Sequence, residues 1–309
     1  MKIFFNRVEK FHAWGGGSVF VTTMVNYLRR LGNDVVFHLE ADIDVIFMID
    51  PRPGDIGYSA SHIQQYKLKH PNVKIIHRIN ECDKRKDTNF IDKLILESNL
   101  IADKTVFISE WLAKYFIDKG FSGDYDIVYN GCDLNNFNPK SESSKNKKLK
   151  VVTHHWSDNW LKGFDIYTAI DKYLSASDQF EFTYVGRYNK SYTPKCTNLI
   201  DPLYGKALGD ELRKHDVYVT ASRFEPCGMH HIEGAASGLP VLFHKDGGGI
   251  NELCENHGMS FNNFDDFLKK LHDVKRDINK YKKLIKYETL DIEKCCAAFN
   301  QVINDSFKN

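Results

Sequence analysis

The chain has 309 residues, of which 42% are hydrophobic, and this is enough for a buried core and typical of about two domains. Its 42 basic and 41 acidic side chains nearly cancel, which gives no support for a nucleic-acid-binding protein. No run approaches the ~20 apolar residues of a membrane span, so we expect at most peripheral contact with a membrane.

The cysteines predict a reduced protein. There are seven, an odd number, and none forms a CxxC pair. Disulfide frameworks and zinc sites usually show even or closely spaced cysteines. The first residues, MKIFFNRVEKFHAW, contain no apolar stretch long enough for a signal peptide. We therefore expect a cytoplasmic location.

Short apolar runs alternate with amphipathic segments through the first half of the chain. Ser18 is the expected N-cap of the first helix. Continuous apolar strands between helices predict a parallel sheet that is covered on both faces. The predicted elements are strands at 2–5, 34–37, 45–49, 73–79, 105–108 and 126–129, and helices at 18–31, 89–100 and 110–119.

The alternation breaks at 138–150, a polar, lysine-rich stretch that predicts an interdomain linker. It then restarts, and from about residue 263 the chain is mostly helical. Ligands of such doubly wound sheets bind beyond the carboxyl ends of the strands. The predicted elements after the linker are strands at 151–154, 180–185, 217–220 and 240–243, and helices at 164–175, 206–214 and 229–236.

The richest pattern follows the strand at 217–220. Glu225 precedes the next predicted helix, Gly228 and Met229 lie at its start, and Glu233 lies within it. The free N–H groups of a helix start form an anion site suited to a diphosphate. The two carboxylates can accept hydrogen bonds from vicinal hydroxyls of a sugar or a ribose. The alternative is that one glutamate only caps or solubilises the helix.

This pattern, E-x7-E with Gly228 three residues after the first glutamate and a glycine run at 247–249, resembles the signature of glycosyltransferase family 4. The segment 128–139, VYNGCDLNNFNP, is similar to the NGVDxxxFxP element of that family. Gly16 and Gly17, before the first helix, resemble its N-terminal glycine loop, which approaches the donor diphosphate. The resemblance covers most of the chain.

Lys162 opens the sequence KGFD, which resembles the KGxD element of the family, whose lysine contacts the donor phosphates. A fixed cation stabilises a nucleoside diphosphate leaving group without a metal. The family usually has an arginine five residues earlier, where this chain has Ser157. Arg187, at the end of a predicted strand, is the candidate replacement.

The acceptor side carries fewer signals. In the family, a histidine or aspartate near the end of a first-domain strand lies close to the reacting carbon, and His77 and Asp83 are the candidates here. The alternative for His77 is a strand side chain that its neighbours satisfy. Asp42 and Asp44 match D-x-D, a metal motif of another glycosyltransferase fold, but they precede an apolar strand in a different context. We expect no metal site.

The resemblance implies an α/β protein of the GT-B type, with two Rossmann-like doubly wound domains that face each other across a cleft. These are an acceptor-side domain at 1–140, a nucleotide-sugar-binding domain at 149–288, and a C-terminal helix at 289–309 that crosses back to the first domain. The implied catalytic residues are Glu225, Lys162 and His77. The implied donor-binding residues are Gly16, Gly17, Arg187, Gly228, Met229 and Glu233.

The implied reaction is transfer of a sugar from a nucleotide diphosphate-sugar donor to a hydroxyl of a glycan, lipid-linked or protein acceptor. The resemblance implies retention of anomeric configuration, no metal and no other cofactor. Two alternatives stay open: another GT-B enzyme, such as a sugar-nucleotide epimerase, and a non-catalytic sugar-nucleotide-binding protein, which the missing arginine motivates.

Overall fold

The structure is a computed structural model that describes residues 1–11, 15–139 and 148–308. It divides into two compact units, Met1–Asn130 with Glu293–Asn309, and Gly131–Ile292. Most of the predicted linker, 138–150, lies outside the described residues, and its last two residues belong to a strand. The predicted cleft between the domains stays a prediction.

The first unit is a parallel six-stranded sheet with helices, and its strand order is β2-β1-β3-β4-β5-β6. The central strands β1, β3 and β4 are almost completely buried, as continuous apolar strands in a covered sheet should be. The elements are β1 (Lys2–Phe5), α1 (Gly16–Arg30), β2 (Asp34–Val36), β3 (Val45–Met48), α2 (Ala60–Lys69), β4 (Lys74–Ile79), α3 (Asp83–Lys86), α4 (Ile91–Asn99), β5 (Lys104–Phe107), α5 (Glu110–Ile117) and β6 (Tyr125–Ile127).

The second unit repeats this architecture with the strand order β12-β11-β10-β7-β8-β9, again all parallel. Buried aromatic side chains on β8 and on the first helix fill much of its core. The elements are β7 (Leu149–His155), α6 (Phe164–Leu174), β8 (Phe180–Gly186), β9 (Asn198–Ile200), α7 (Gly205–Leu212), β10 (Val217–Thr220), α8 (Met229–Ala236), β11 (Val241–His244), α9 (Ile250–Cys254), β12 (Gly258–Phe261), α10 (Phe264–Arg276) and α11 (Ile278–Lys282).

The last helix, α12 (Ile292–Asp305), completes the core of the first unit. Phe299 on this helix is fully buried, and its ring lies 5.0 Å from the Phe20 ring and 5.5 Å from the Phe47 ring. The guanidinium of Arg78 stacks on Phe20 at 3.9 Å. The first unit is therefore built from both ends of the chain. None of the described helices is long and apolar enough to cross a membrane.

The prediction that Ser18 caps the first helix is wrong. Helix α1 begins at Gly16, and Gly15 is its N-cap, in an extended conformation. The amide of Ser18 donates to the carbonyl of Gly15 at 3.0 Å, which places Ser18 within the first turn. The apolar periodicity begins only at Val19, so the sequence pattern gives no helical signal at Gly16 and Gly17.

Candidate active site

The chain order of the second sheet reverses between β7 and β10. From β7 the sheet continues to β8 and β9 on one side and to β10, β11 and β12 on the other. The crevice beyond the carboxyl ends of two such strands is the usual ligand site of an open parallel sheet. The predicted residues of the second half follow these two strands and the neighbouring β8.

Lys162 and Glu225, predicted from separate motifs, contact each other in this region. The ammonium of Lys162 donates to Oε2 of Glu225, and both side chains are at least nine-tenths buried. Gly163 allows this approach, because it has φ +98° and a Cβ there would overlap Ala221, just after β10. A buried ion pair costs several kcal/mol to break by removing one partner, so the two side chains form one unit.

A second ion pair ties the lysine turn to the loop after β10. The guanidinium of Arg223 donates to both carboxylate oxygens of Asp165, at 2.8 and 2.6 Å, and its backbone N–H donates to the carbonyl of Leu161. Burial would raise the pKa of Asp165, but the hydrogen bonds and the charge of Arg223, together with backbone hydrogen bonds, outweigh it and hold this pKa below its usual value. Asp165 therefore positions the lysine turn rather than facing a ligand.

The glycine run after β11 holds Glu225 by its backbone. The amides of Phe224 and Glu225 donate to the carbonyls of Asp246 and Gly247, and Ile250 donates back to the carbonyl of Glu225. Phe224 has φ +54°, which is unusual for a bulky residue and is maintained here by these contacts. The loop that contains this glycine run therefore positions Glu225 through backbone contacts.

The start of α8 lies beside Glu225. Gly228 is its N-cap, and Met229, the first helical residue, is buried. A Cβ on Gly228 would lie 2.6 Å from His230 Nδ1 and 3.0 Å from Cγ of Glu225. The glycine therefore already has a packing reason, besides the predicted close approach of a ligand.

Glu233, one turn further along α8, contacts a side chain that the sequence analysis did not assign. Its Oε2 lies 2.7 Å from Nε2 of His154, the sixth residue of β7. His154 Nδ1 lies 3.2 Å from the hydroxyl of Tyr218 on β10. The signal that could have found this contact is the pair of histidines at a strand end facing the reversal of the sheet.

Two further histidines, His155 and His230, are buried in the same region of the second unit. The rings of His155 and His230 are 4.7 Å apart, and they hydrogen-bond to Tyr167 and Thr220 respectively, each at 2.9 Å. Burial is the main cause that lowers the pKa of each well below its usual value, and the charge of Lys162 adds to it. Both rings are therefore neutral near pH 7. The described residues hold no group of three His, Cys, Asp or Glu side chains that could bind a metal.

Arg187 follows β8 and is exposed. Its guanidinium carbon lies 5.2 Å from the centroid of the Trp156 ring, a cation–π contact that orients the charge. Its amide donates to the carbonyl of His155 at 3.0 Å, which fixes it near the end of β7. Ser157 takes the amide N–H of Asn159 at 3.3 Å. Arg187, the candidate replacement for the arginine of the resembling family, thus lies against an aromatic ring.

The candidates of the first unit have mostly structural contacts. His77 lies in β4 and is 1% exposed, and its Nδ1 is 2.7 Å from Oδ1 of Asn99. Burial lowers the pKa of His77 to about 4. These contacts fit a strand side chain satisfied by its neighbours, and a catalytic role for His77 stays a prediction. Gly16 and Gly17 form the first turn of α1, and a Cβ on Gly17 would lie 3.6 Å from the Asn80 amide, an ordinary contact.

Asp83 and the D-x-D pair are occupied elsewhere. The carboxylate of Asp83 accepts the amides of Phe90, Ile91 and Asp92, and so it caps the start of α4. In the D-x-D pair, Asp42 forms an ion pair with the side chain of Lys2, and Asp44 accepts the amide of the same residue. These contacts explain each carboxylate without a ligand.

Residues 197–291 match the family model described as glycosyl transferases group 1. No curated protein matches the chain by sequence.

Several solved structures are similar over nearly the whole chain. Sucrose-phosphate synthase from Thermosynechococcus elongatus is 14% identical over 99% of both chains, with a TM-score of 0.75. Alr3699/HepE from Anabaena, solved in complex with UDP-glucose, is 15% identical over 100% of this chain and 99% of its own, with a TM-score of 0.77. A glycosyltransferase from Rickettsia africae ESF-5 is 13% identical over 100% and 99%, with a TM-score of 0.70. At identities this low, the structural likeness shows the fold alone. It confirms the predicted GT-B class with two Rossmann-like domains.

Proposed function

We propose that this protein is a glycosyltransferase that moves a sugar from a nucleoside diphosphate-sugar donor to an acceptor hydroxyl, with retention of anomeric configuration. The buried Lys162–Glu225 pair beyond β7 and β10 carries the proposal. Glu225 lies within the stretch that matches the glycosyl transferases group 1 model. A fixed cation and a carboxylate beside a helix start suit a diphosphate and the hydroxyls of a sugar.

In the proposed donor site, the diphosphate binds at the start of α8, where the amides of Gly228 and Met229 and the ammonium of Lys162 supply positive charge. Arg187, held against Trp156, adds a second cation. Glu233 binds the ribose hydroxyls, and Glu225 contacts the transferred sugar. UDP-glucose is the first donor to test, because the Anabaena protein was solved with it.

In the proposed reaction, the bond between the anomeric carbon and the diphosphate oxygen breaks, and this carbon bonds to the acceptor oxygen on the same face. The acceptor proton passes to the departing phosphate oxygen. Lys162 and Arg187 stabilise the negative charge that the leaving group gains. Because these cations take the place of a metal, we expect the rate to be unchanged in excess EDTA, and a loss that manganese or magnesium restores would contradict this site.

A non-catalytic nucleotide-sugar-binding protein is the second candidate. Ser157 favours it, because a serine stands where the resembling family usually has an arginine. Such a protein would bind nucleotide-sugars tightly and release no nucleotide with any acceptor.

Nucleotide release tests the proposal. Wild-type protein, Lys162→Met and the matched control Lys206→Met are incubated with a panel of nucleotide-sugars and with glycan, lipid-linked and peptide acceptors. Lys206 is an exposed residue of α7 that pairs with Asp210, so the same substitution there leaves the site intact. We expect release by the wild type and the control, and a loss of about 100-fold or more in Lys162→Met. Donor binding without release would favour the second candidate.

A further inference from the structure

A chain of contacts in the second unit ends on Glu233. It begins at Gly234, where a Cβ would overlap the ring of Tyr218, so that the missing side chain lets this ring lie against α8. Tyr218 is fully buried on β10. Its hydroxyl accepts the backbone amide of His154 at 3.3 Å and lies 3.2 Å from Nδ1 of the same residue. The tyrosine therefore fixes both the backbone and the ring of His154.

The Tyr218 hydroxyl faces two acceptors of His154, the backbone carbonyl at 3.4 Å and Nδ1 at 3.2 Å, and its hydrogen bond to Nδ1 fits one tautomer of the ring. When the Tyr218 hydroxyl donates to Nδ1, that nitrogen is an acceptor and the ring N–H lies on Nε2. Nε2 then donates to Oε2 of Glu233 at 2.7 Å, a charge-assisted hydrogen bond. The two side chains are only 10% and 12% exposed, so water competes little for this bond. Its effect is to hold the carboxylate of Glu233 in one orientation.

We propose that His154 is a positioning residue for nucleotide binding, which orients Glu233 so that the second carboxylate oxygen, Oε1, accepts a ribose hydroxyl. The inference rests on the proposed function, in which Glu233 binds the ribose. A carboxylate that is already oriented loses less side-chain entropy when the ligand binds. Removing the imidazole thus weakens recognition of the ribose hydroxyls while Glu233 remains.

Calorimetric titration of the full chain tests this. UDP, ADP and GDP are each compared with their 2′,3′-dideoxy analogues, and the ratio of the two Kd values reports recognition of the ribose hydroxyls. We expect a ratio of about tenfold in the wild type, from one or two hydrogen bonds, and a ratio near one in Glu233→Gln. His154→Leu should approach the Glu233→Gln ratio, and the double variant should bind no more weakly than Glu233→Gln.

Two variants separate positioning from a general structural role. His154→Gln retains an N–H donor that can reach Glu233 and should keep most of the ratio. His272→Leu, the same substitution at an exposed histidine of α10, should keep all of it. In turnover, His154→Leu should raise the donor KM about tenfold and change kcat less than twofold.

The outcomes are distinguishable. A full ratio in His154→Leu, with the ratio lost in Glu233→Gln, overturns the role of His154 and leaves the proposed function standing. A Kd ratio near one in the wild type overturns the ribose contact of Glu233, and this inference with it. If His154→Leu does not fold, Tyr218→Phe, which removes only the hydroxyl, decides: a reduced ratio supports the inference, and a full ratio overturns it.

Discussion

At the residue scale, the contact between Lys162 and Glu225 makes a prediction about stability. In Lys162→Met a carboxylate remains buried without its cation, so we expect the free energy of unfolding to fall by about 3–5 kcal/mol. The double variant Lys162→Met/Glu225→Gln removes both charges and should recover part of this loss. Urea denaturation measures it, and an unchanged unfolding midpoint in the single variant would show that the pair contributes little to stability.

The two glutamates should differ in kinetics. Glu225 faces the transferred sugar in the proposed site, where charge develops as the bond breaks, so Glu225→Gln should lower kcat by about 100-fold. Glu233 contacts the ribose similarly in ground and transition states, so Glu233→Gln should mainly raise the donor KM. Steady-state rates over a range of donor concentrations separate the two constants. Reversed effects would mean that the roles are exchanged.

The burial of His77 predicts a pH dependence of stability. Its pKa is about 4 in the folded chain against 6.5 for an ordinary histidine. Below pH 6.5 the unfolded chain gains a proton that the folded chain excludes, so stability is complete above pH 6.5 and falls between pH 6.5 and about 4. At pH 5 the titration of His77 lowers the free energy of unfolding by about 2 kcal/mol relative to its value above pH 6.5.

His77→Gln should reduce this slope by the contribution of His77, while His155 and His230, whose pKa values are also lowered, keep theirs. Urea denaturation at pH 7.5 and pH 5.0 measures the difference from the wild type. An equal loss of stability in both proteins would contradict the account. Activity of the same variant at pH 7.5 tests its predicted catalytic role separately.

At the element scale, α12 should be required for the first unit. Phe299 fills a site between Phe20 and Phe47, and Phe299→Ala should lower the free energy of unfolding by about 3–5 kcal/mol through the lost contacts and the cavity. Phe307→Ala, at an exposed phenylalanine near the end of the chain, is the matched control. Denaturation of both variants checks this, and a loss below about 1 kcal/mol in Phe299→Ala would contradict it.

The elements that the sequence predicted are those whose buried residues form a regular apolar pattern along the chain. The strands with continuous apolar runs, such as β4 and β10, were found to within two residues. Helix α2 was missed, because only three of its residues are buried and Leu68 is 80% exposed, which breaks the periodicity. Strand β12, GMSF, is too polar and short to be recognised as a strand.

Local sequence motifs indicated some residues of the candidate site, but not the contacts between them. Lys162, Glu225 and Glu233 stand in local motifs that sequence can carry. The contact of Lys162 with Glu225 and that of His154 with Glu233 join residues more than 60 positions apart. Such contacts depend on which strands are neighbours in the sheet, and the sequence alone did not indicate that β10 lies beside β7.

At the scale of the whole molecule, the two units repeat one architecture. The central claim is that the protein transfers a sugar from a nucleoside diphosphate-sugar donor to an acceptor hydroxyl with retention of anomeric configuration. The most direct test follows the anomeric carbon by NMR, with ¹³C-labelled UDP-glucose, UDP-N-acetylglucosamine and GDP-mannose and a panel of glycan, lipid-linked and peptide acceptors. The account predicts that the labelled carbon leaves one of these α-linked donors and appears in an α-glycoside of an acceptor. A donor signal that stays unchanged, or that converts to another nucleotide-sugar without transfer, would contradict it.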